Sequence, residues 1–132
     1  MNLVSIRIIT ADVARLVAFY ELVTGVAADW ATPDFAELRT EAGTLALGST
    51  RTVPLFAPGS AEPAANRTAI VEFLVDDVDA RYRRLAGALT DVVTEPTTMP
   101  WGNRSLLFRD PDGNLVNLFT PVTEQAIARF SR

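Results

Sequence analysis

An internal repeat is the feature that most restricts the fold of this sequence. A short apolar stretch leads into an Asp-Val pair at Asp12, apolar residues at helical spacing follow, and the same order returns at Asp77, 65 residues later. An aspartate at such a position caps a helix, because its carboxylate accepts hydrogen bonds from the first free backbone N–H groups. The repeat therefore predicts two similar β-α-β modules, each with one sheet face covered by its own helix.

The strands that precede the two helices carry polar residues at matched positions. The same offset pairs Ser5 with Ile70 and Arg7 with Glu72. Side chains alternate along a strand, so the apolar neighbours of Arg7 and Glu72 point to the opposite face. Both charged side chains are therefore expected to point inward. There they would form a polar pair that orients a ligand, a structural ion pair, or a pair at a dimer seam.

The rest of the chain adds short strand-like runs at 35–39 and 44–49 in the first half, and strands near 91–95, 104–109 and 114–120 in the second. Gly43 and Gly113 match at an offset of 70, and the DPDGN run at 110–114 is typical of a hairpin turn. A stretch with three prolines and many small residues separates the halves and is predicted to be a linker. The predicted fold class is α+β in a single domain over 1–132, divided into module one (1–50), the linker (51–68), module two (69–121) and a C-terminal helix (122–132).

The residue types that are missing exclude several kinds of chemistry. The chain has no cysteine and no histidine, so it lacks disulfides, thiolate nucleophiles and the commonest ligands of transition metals. A net charge of −4 argues against a nucleic-acid partner. No apolar run reaches the roughly 18 residues that span a bilayer, and the N-terminus lacks a basic segment followed by a cleavage site. We therefore expect a cytoplasmic protein with no membrane partner.

Motifs along nearly the whole chain resemble one superfamily. They are VAFY at 17–20, TG at 24–25, VDDVDA at 75–80, PWGNRS at 100–105 and FRDPDGN at 108–114. In this order and spacing, the sequence resembles the glyoxalase / bleomycin-resistance / extradiol dioxygenase superfamily, which has the vicinal oxygen chelate fold. The resemblance implies two tandem βαβββ modules that form an open, barrel-like curved sheet around a cavity, and usually a homodimer.

Metalloenzymes of that superfamily hold one divalent ion with His, Glu or Gln on the first and last strands of each module. The resemblance places these positions at Ser5 and Leu47 in module one and at Ile70 and Asn117 in module two. Leu47 and Ile70 have no donor atom. The alcohol and the amide bring no charge to offset the hydration that a cation would lose. We therefore expect no metal and no other cofactor.

The remaining candidates are apolar or aromatic. Phe119 shares the strand face of Asn117, and Leu74 shares that of Glu72, so both would line a pocket or form ordinary core. Trp101 precedes the seventh strand and is either an aromatic platform for a flat ligand or a plug against the barrel end or a partner chain. The predicted ligand-binding residues are Ser5, Arg7, Glu72, Leu74, Trp101, Asn117 and Phe119.

These features support several hypotheses of function. The first is a non-enzymatic, metal-independent protein that binds an apolar or aromatic small molecule, such as an antibiotic to be sequestered. The second is a metal-free lyase or isomerase in which Glu72 is the general base and Arg7 stabilises the developing negative charge. Two others are a lyase-like enzyme of the same superfamily with an unrecognised metal site, and a structural or regulatory dimer with no small ligand.

Overall fold

The computed structural model describes residues 1–131, which form two compact units. Unit one comprises 1–66 and 111–113, and unit two comprises 67–110 and the residues from 114 onward. The elements of unit one are β1 (Ser5–Thr10), α1 (Val13–Thr24), β2 (Asp29–Thr32), β3 (Phe35–Arg39), β4 (Thr44–Ser49) and a 3-10 helix (Thr50–Leu55). Those of unit two are β5 (Ile70–Leu74), α2 (Val78–Leu85), β6 (Val92–Thr98), β7 (Asn103–Arg109), β8 (Leu115–Pro121) and α3 (Glu124–Phe130).

Each unit contains one open, four-stranded mixed sheet. The strand order is β1-β4-β3-β2 in unit one and β5-β8-β7-β6 in unit two. In both sheets the first strand pairs in parallel with the last strand of its module, and the other pairings are antiparallel. The predicted α+β class and the two βαβββ modules are confirmed. Among the described residues, no helix combines the length and the apolar character needed to cross a bilayer.

The repeated aspartates cap the two matched helices, as the sequence predicts. The carboxylate of Asp12 accepts the N–H of Arg15 at 3.1 Å, and that of Asp77 accepts the N–H of Ala80 at 3.1 Å. Helix α1 ends at Gly25, whose φ of 73° lies in the left-handed region that glycine adopts without strain. The two modules therefore start their helices by the same local chemistry.

Each helix covers one face of its own sheet. In unit one, α1 buries an apolar stripe that contacts β3 and β4, where Leu38 and Leu47 are fully buried. In unit two, α2 buries Val78 and Leu85 beside the fully buried Leu118 of β8. The opposite face carries Ser5 and Arg7 in unit one and Glu72 and Asn117 in unit two. We call it the polar face of each sheet.

The predicted linker begins with ordered structure. The 3-10 helix follows β4 directly, and the hydroxyl of Ser49 caps it by accepting the N–H of Arg51 at 3.2 Å. Thr52 and Val53 are buried in unit one. The first part of this proline-rich stretch therefore packs against the sheet that precedes it.

The predicted hairpin turn between β7 and β8 is present, and Asp110 and Asn114 bond each other across it. The carboxylate of Asp110 accepts the backbone N–H of Asn114 at 3.0 Å and its side-chain amide at 2.7 Å. Gly113 has a φ of 85°, which a residue with a side chain rarely adopts. Asp110 and Asn114 are both buried, so these bonds satisfy polar groups that water does not reach.

Candidate functional site

Strand pairing brings the predicted residues of unit two together. Glu72 pairs with Asn117, and Leu74 pairs with Phe119. Paired residues on neighbouring strands point to the same side of a sheet, and residues two apart share that side. Ile70, Glu72, Leu74, Asn117 and Phe119 therefore all lie on the polar face of unit two.

In unit one the pairing contradicts one predicted position. Arg7 pairs with Ala46, whereas Leu47 pairs with Ile8. Leu47 therefore lies on the helix-covered face, where it is 0% exposed, and it cannot share a site with Ser5. The assignment of a ligand position to Leu47 was wrong by one residue, and such a slip moves a side chain to the other face of a sheet.

The cause of that error is one additional residue between the turn glycine and the last strand of the second module. The first residue of β1 pairs with Thr44, and the first residue of β5 pairs with Leu115. The last strands of the modules are therefore 71 residues apart, whereas the glycine spacing predicts 70. The equivalent of Asn117 in unit one is Ala46, which also has no donor atom.

Asn117 is a buried amide with a fixed orientation on the polar face of unit two. It is 8% exposed, and its Nδ2 donates to Oε2 of Glu72 at 2.8 Å. A carboxylate only accepts, so this bond fixes the amide with its oxygen pointing away from Glu72. Among the described residues Oδ1 of Asn117 has no hydrogen-bond donor. The site therefore presents a buried acceptor in a fixed orientation beside an exposed carboxylate.

A second buried acceptor lies on the same face and was not predicted. Asn103 and Ser105 alternate along β7, and Ser105 pairs with Phe119, which places both on the polar face. Both are buried, and Oδ1 of Asn103 has no hydrogen-bond partner among the described residues. The sequence signal was available, because Asn103 stands in the same PWGNRS motif as Trp101.

Apolar side chains share the polar face of unit two with Asn117. Phe119 is buried, and the ring of Phe130 lies 5.2 Å from its ring, between centroids. Helix α3 therefore contributes an aromatic side chain to the polar face of unit two. Leu74 and Ile70 remain about half exposed on the edge strand β5. The two predicted members, Leu74 and Phe119, are on this surface, whereas Phe130 was missed.

Arg7 lies on the polar face of unit one in an aromatic setting. Its guanidinium carbon is 4.5 Å from the centroid of the Phe35 ring and 4.9 Å from that of the Phe56 ring. Neither ring contact was predicted, because Phe35 begins another strand and Phe56 belongs to the stretch interpreted as a linker. Arg7 belongs to unit one and Glu72 to unit two, and their predicted pairing stays a prediction.

Trp101 lies in the turn between β6 and β7. It is 64% exposed, so the described residues do not bury it, and its roles as a platform for a ligand or a contact with a partner chain stay predictions. The turn is closed by Gly102, whose N–H donates to the carbonyl of Met99 at 2.9 Å. Gly102 has a φ of 92° and abuts Thr123 and Ala126 at the start of α3. The turn is therefore anchored on the C-terminal helix with its indole exposed.

Two ion pairs that join elements within a unit lower the pKa of their carboxyl groups. Arg104 donates to both oxygens of Asp79, at 2.7 and 3.0 Å, and these bonds lower the pKa of Asp79. In unit one, hydrogen bonds from Arg51 and then from Ser49 lower the pKa of Asp34. Arg104 ties β7 to the first turn of α2, so this pair is structural.

Comparison with known proteins identifies the family. The sequence profile of the Glyoxalase/Bleomycin resistance protein/Dioxygenase superfamily matches residues 2–118. The chain belongs to this superfamily. The resemblance that the sequence motifs indicated is confirmed, and no curated protein matches the chain.

Solved structures of superfamily proteins share the fold. A glyoxalase/bleomycin resistance protein/dioxygenase from Nocardioides is 23% identical with a TM-score of 0.74, over 94% of this chain and 85% of that one. A family enzyme from Burkholderia phytofirmans PsJN is 20% identical with a TM-score of 0.76, over 89% and 97%. A glyoxalase-related enzyme from Fulvimarina pelagi is 18% identical with a TM-score of 0.76, over 94% of each chain.

The side chains at the superfamily's metal positions do not suit a divalent ion. After the register correction, these positions hold Ser5, Ala46, Ile70 and Asn117, which supply one hydroxyl, one amide and no charge. The nitrogen of the Asn117 amide is held by Glu72. Among the described residues, no three acidic side chains cluster as a metal site would require. Divalent cations need several charged or strongly donating ligands, which these four side chains do not supply.

Proposed function

We propose that this superfamily member is a metal-independent, small-molecule-binding protein. It takes an apolar or aromatic ligand, such as an antibiotic that it sequesters, and it acts as a homodimer. The observation that carries the proposal is the Oδ1 atom of Asn117, which is buried, oriented and without a donor among the described residues.

An unpartnered buried acceptor destabilises a folded protein by about 1–3 kcal/mol. Such groups in native structures call for an explanation, and a ligand that donates a hydrogen bond provides one. Leu74 and Phe119 lie on the same face as this acceptor, and Phe130 packs on Phe119, which favours a ligand with an aromatic or aliphatic body. A ligand N–H or O–H on Asn117 and an apolar body on these side chains satisfy both parts of the surface.

One observation favours a second function, a metal-free lyase or isomerase. Glu72 is exposed, and only its Oε2 is bonded to Asn117, so Oε1 makes no hydrogen bond among the described residues. A carboxylate oriented in this way can take a proton from a bound substrate as a general base. Because a binding protein needs only the acceptor, turnover that depends on Glu72 distinguishes this function from sequestration.

The test is a thermal-shift screen of aromatic and aliphatic compounds, antibiotics among them, against the purified protein. We expect stabilising compounds to lose their effect in Asn117→Leu and to keep it in Glu95→Gln. Glu95 lies in the same unit, is exposed, and accepts the hydroxyl of Tyr82 at 3.0 Å, so Glu95→Gln is a general control within the unit and the matched carboxylate control for Glu72→Gln. Stabilising compounds that bind Asn117→Leu as well as the wild type would contradict the proposal.

Two further measurements separate the remaining alternatives. If a stabilising compound is converted to a product and Glu72→Gln stops the conversion, the enzymatic function replaces sequestration. The molar mass measured by light scattering during gel filtration tests the homodimer. A monomer at micromolar concentration would contradict it.

A further inference from the structure

We propose that the polar face of unit one carries a subsite for a ligand carboxylate, formed by the guanidinium of Arg7 between the rings of Phe35 and Phe56. The proposal rests on the proposed function in taking the occupant to be a small molecule. It adds the charge class of that molecule, which is a monoanion whose carboxylate is attached to an aromatic or apolar body.

The contacts of Arg7 leave its hydrogen-bonding capacity unused. The two rings attract the cation through their π-systems at 4.5 and 4.9 Å and accept no strong hydrogen bond. Arg7 makes no ion pair and no hydrogen bond with another described residue of unit one. A guanidinium carries five N–H donors in a rigid plane that matches the two oxygens of a carboxylate. The rings therefore hold the cation in place while its donors stay available.

Two other arginines of unit one, Arg39 and Arg51, are arranged differently. Arg39, on the same polar face, lies 3.1 Å from a carboxylate oxygen of Glu37 and 3.6 Å from one of Asp29. Arg51 lies 2.8 Å from the carboxylate of Asp34. The chain has 16 acidic and 12 basic side chains, so internal acids are plentiful. Arg7 is held by aromatic rings instead, which leaves its charge available to an external anion.

The neighbours of Arg7 favour a carboxylate over a phosphate. Ala46 pairs with both Arg7 and Glu37, so the Glu37 carboxylate lies on the same face two strands away. The Glu37 carboxylate repels a phosphate dianion bound at Arg7 more strongly than a carboxylate, because the dianion carries twice the negative charge. Ser5 lies two residues before Arg7 on the same face and adds a hydroxyl donor.

The apolar part of the ligand is indicated by Phe56. This ring directly follows the 3-10 helix, and its backbone N–H donates to the carbonyl of Val53 at 3.0 Å, which ties it to a buried residue. Phe56 is nevertheless 70% exposed, next to a cation. An aromatic acid covers that ring while its carboxylate reaches Arg7, and a free inorganic anion leaves the ring exposed.

The test compares carboxylates with their neutral amides. Benzoate, phenylacetate and 2-naphthoate, and the three matching amides, are titrated into the uniformly ¹⁵N-labelled protein. Binding is followed by NMR at the backbone amides of β1 and at the side-chain Nε–H of Arg7. We expect at least one acid to bind about tenfold more tightly than its amide, which is the effect of one charge-assisted hydrogen-bonded pair.

Three variants assign the effect to the proposed residues. In Arg7→Gln the acid-over-amide preference should fall to within about twofold, whereas Arg39→Gln, on the same face, should keep it. Phe56→Leu should weaken the acid several-fold. Equal binding of each acid and its amide, including no binding by either, would overturn the proposal, as would a preference that survives in Arg7→Gln.

The outcomes also separate this subsite from the proposed function. If neutral ligands bind in a way that depends on Asn117 and acids show no preference for Arg7, the carboxylate subsite is contradicted and the proposed binding function is supported. Acids that bind through Arg7, with no ligand that depends on Asn117, would support the subsite and contradict the proposed role of Asn117.

Discussion

Replacing Asn117 with leucine should abolish ligand binding without destabilising the fold. Leucine is close to asparagine in size, so the change removes two polar atoms and leaves little empty volume. The lost bond to Glu72 is charge-assisted and worth about 1.5–3 kcal/mol, at the lower end here because Glu72 is exposed and water can replace the donor. The gain is relief of the unpartnered Oδ1, about 1–3 kcal/mol, to which burial of the leucine adds.

These terms nearly cancel, so the free energy of unfolding of Asn117→Leu should lie within about 1 kcal/mol of the wild type or above it. The assay is urea unfolding followed by tryptophan fluorescence. Asn114→Leu is the matched control, because Asn114 is 2% exposed and its side-chain Nδ2 donates to the buried Asp110 at 2.7 Å. That variant leaves a buried carboxylate with fewer donors and should lose about 2–4 kcal/mol.

The contrast between the two asparagines is the informative result. A group kept for binding contributes little to stability, or opposes it, whereas a structural group is needed for the fold. If Asn117→Leu lost as much stability as Asn114→Leu, Asn117 would be a structural residue, and the reasoning that assigns it to a ligand would be refuted.

Three further substitutions test the fold that presents the site. Gly102→Ala should lower the free energy of unfolding, measured in urea, by more than about 2 kcal/mol, because a Cβ at φ 92° meets Thr123. Gly43→Ala is the control, since a Cβ there has nothing within 4 Å, and it should change the free energy of unfolding by less than about 1 kcal/mol. Leu47→Ala should cost about 2–5 kcal/mol in the same assay if Leu47 faces the helix, and a neutral result would contradict the register. Because Arg104 lowers the pKa of Asp79, that pair stabilises the fold above the ordinary carboxyl pKa and loses this effect as the pH falls through the lowered value. Asp79→Asn should therefore cost about 0.5–1 kcal/mol at pH 7 and almost nothing near pH 2, and an equal loss at both pH values would contradict the pairing.

The parts of the fold that follow from local chemistry were predictable from the sequence. Asp12 and Asp77 cap helices because the side chain acts within its own turn, and the DPDGN run makes its hairpin for the same reason. Alternation placed Leu74 on the same strand face as Glu72, and Phe119 on the same strand face as Asn117, because the spacing along each strand is fixed. For these features, no knowledge of distant contacts was needed.

The parts that depend on pairing between distant segments were not predictable. One additional residue before β8 shifted the register and moved the predicted position from Ala46 to Leu47, on the opposite face. Strand β2 went unrecognised, since all four of its residues are exposed and carry no burial pattern. The rings of Phe35 and Phe56 meet Arg7 from different elements, and no sequence spacing encodes that contact.

Metal content tests the central claim most directly, because the superfamily's metal positions here hold a hydroxyl, an amide and two hydrocarbon side chains. The protein is purified without chelator, dialysed against micromolar Zn²⁺, Ni²⁺, Mn²⁺ or Fe²⁺, passed through a desalting column and measured by plasma mass spectrometry. We expect each metal to remain far below one ion per chain. One tightly held ion per chain that is lost in Asn117→Leu would contradict the account.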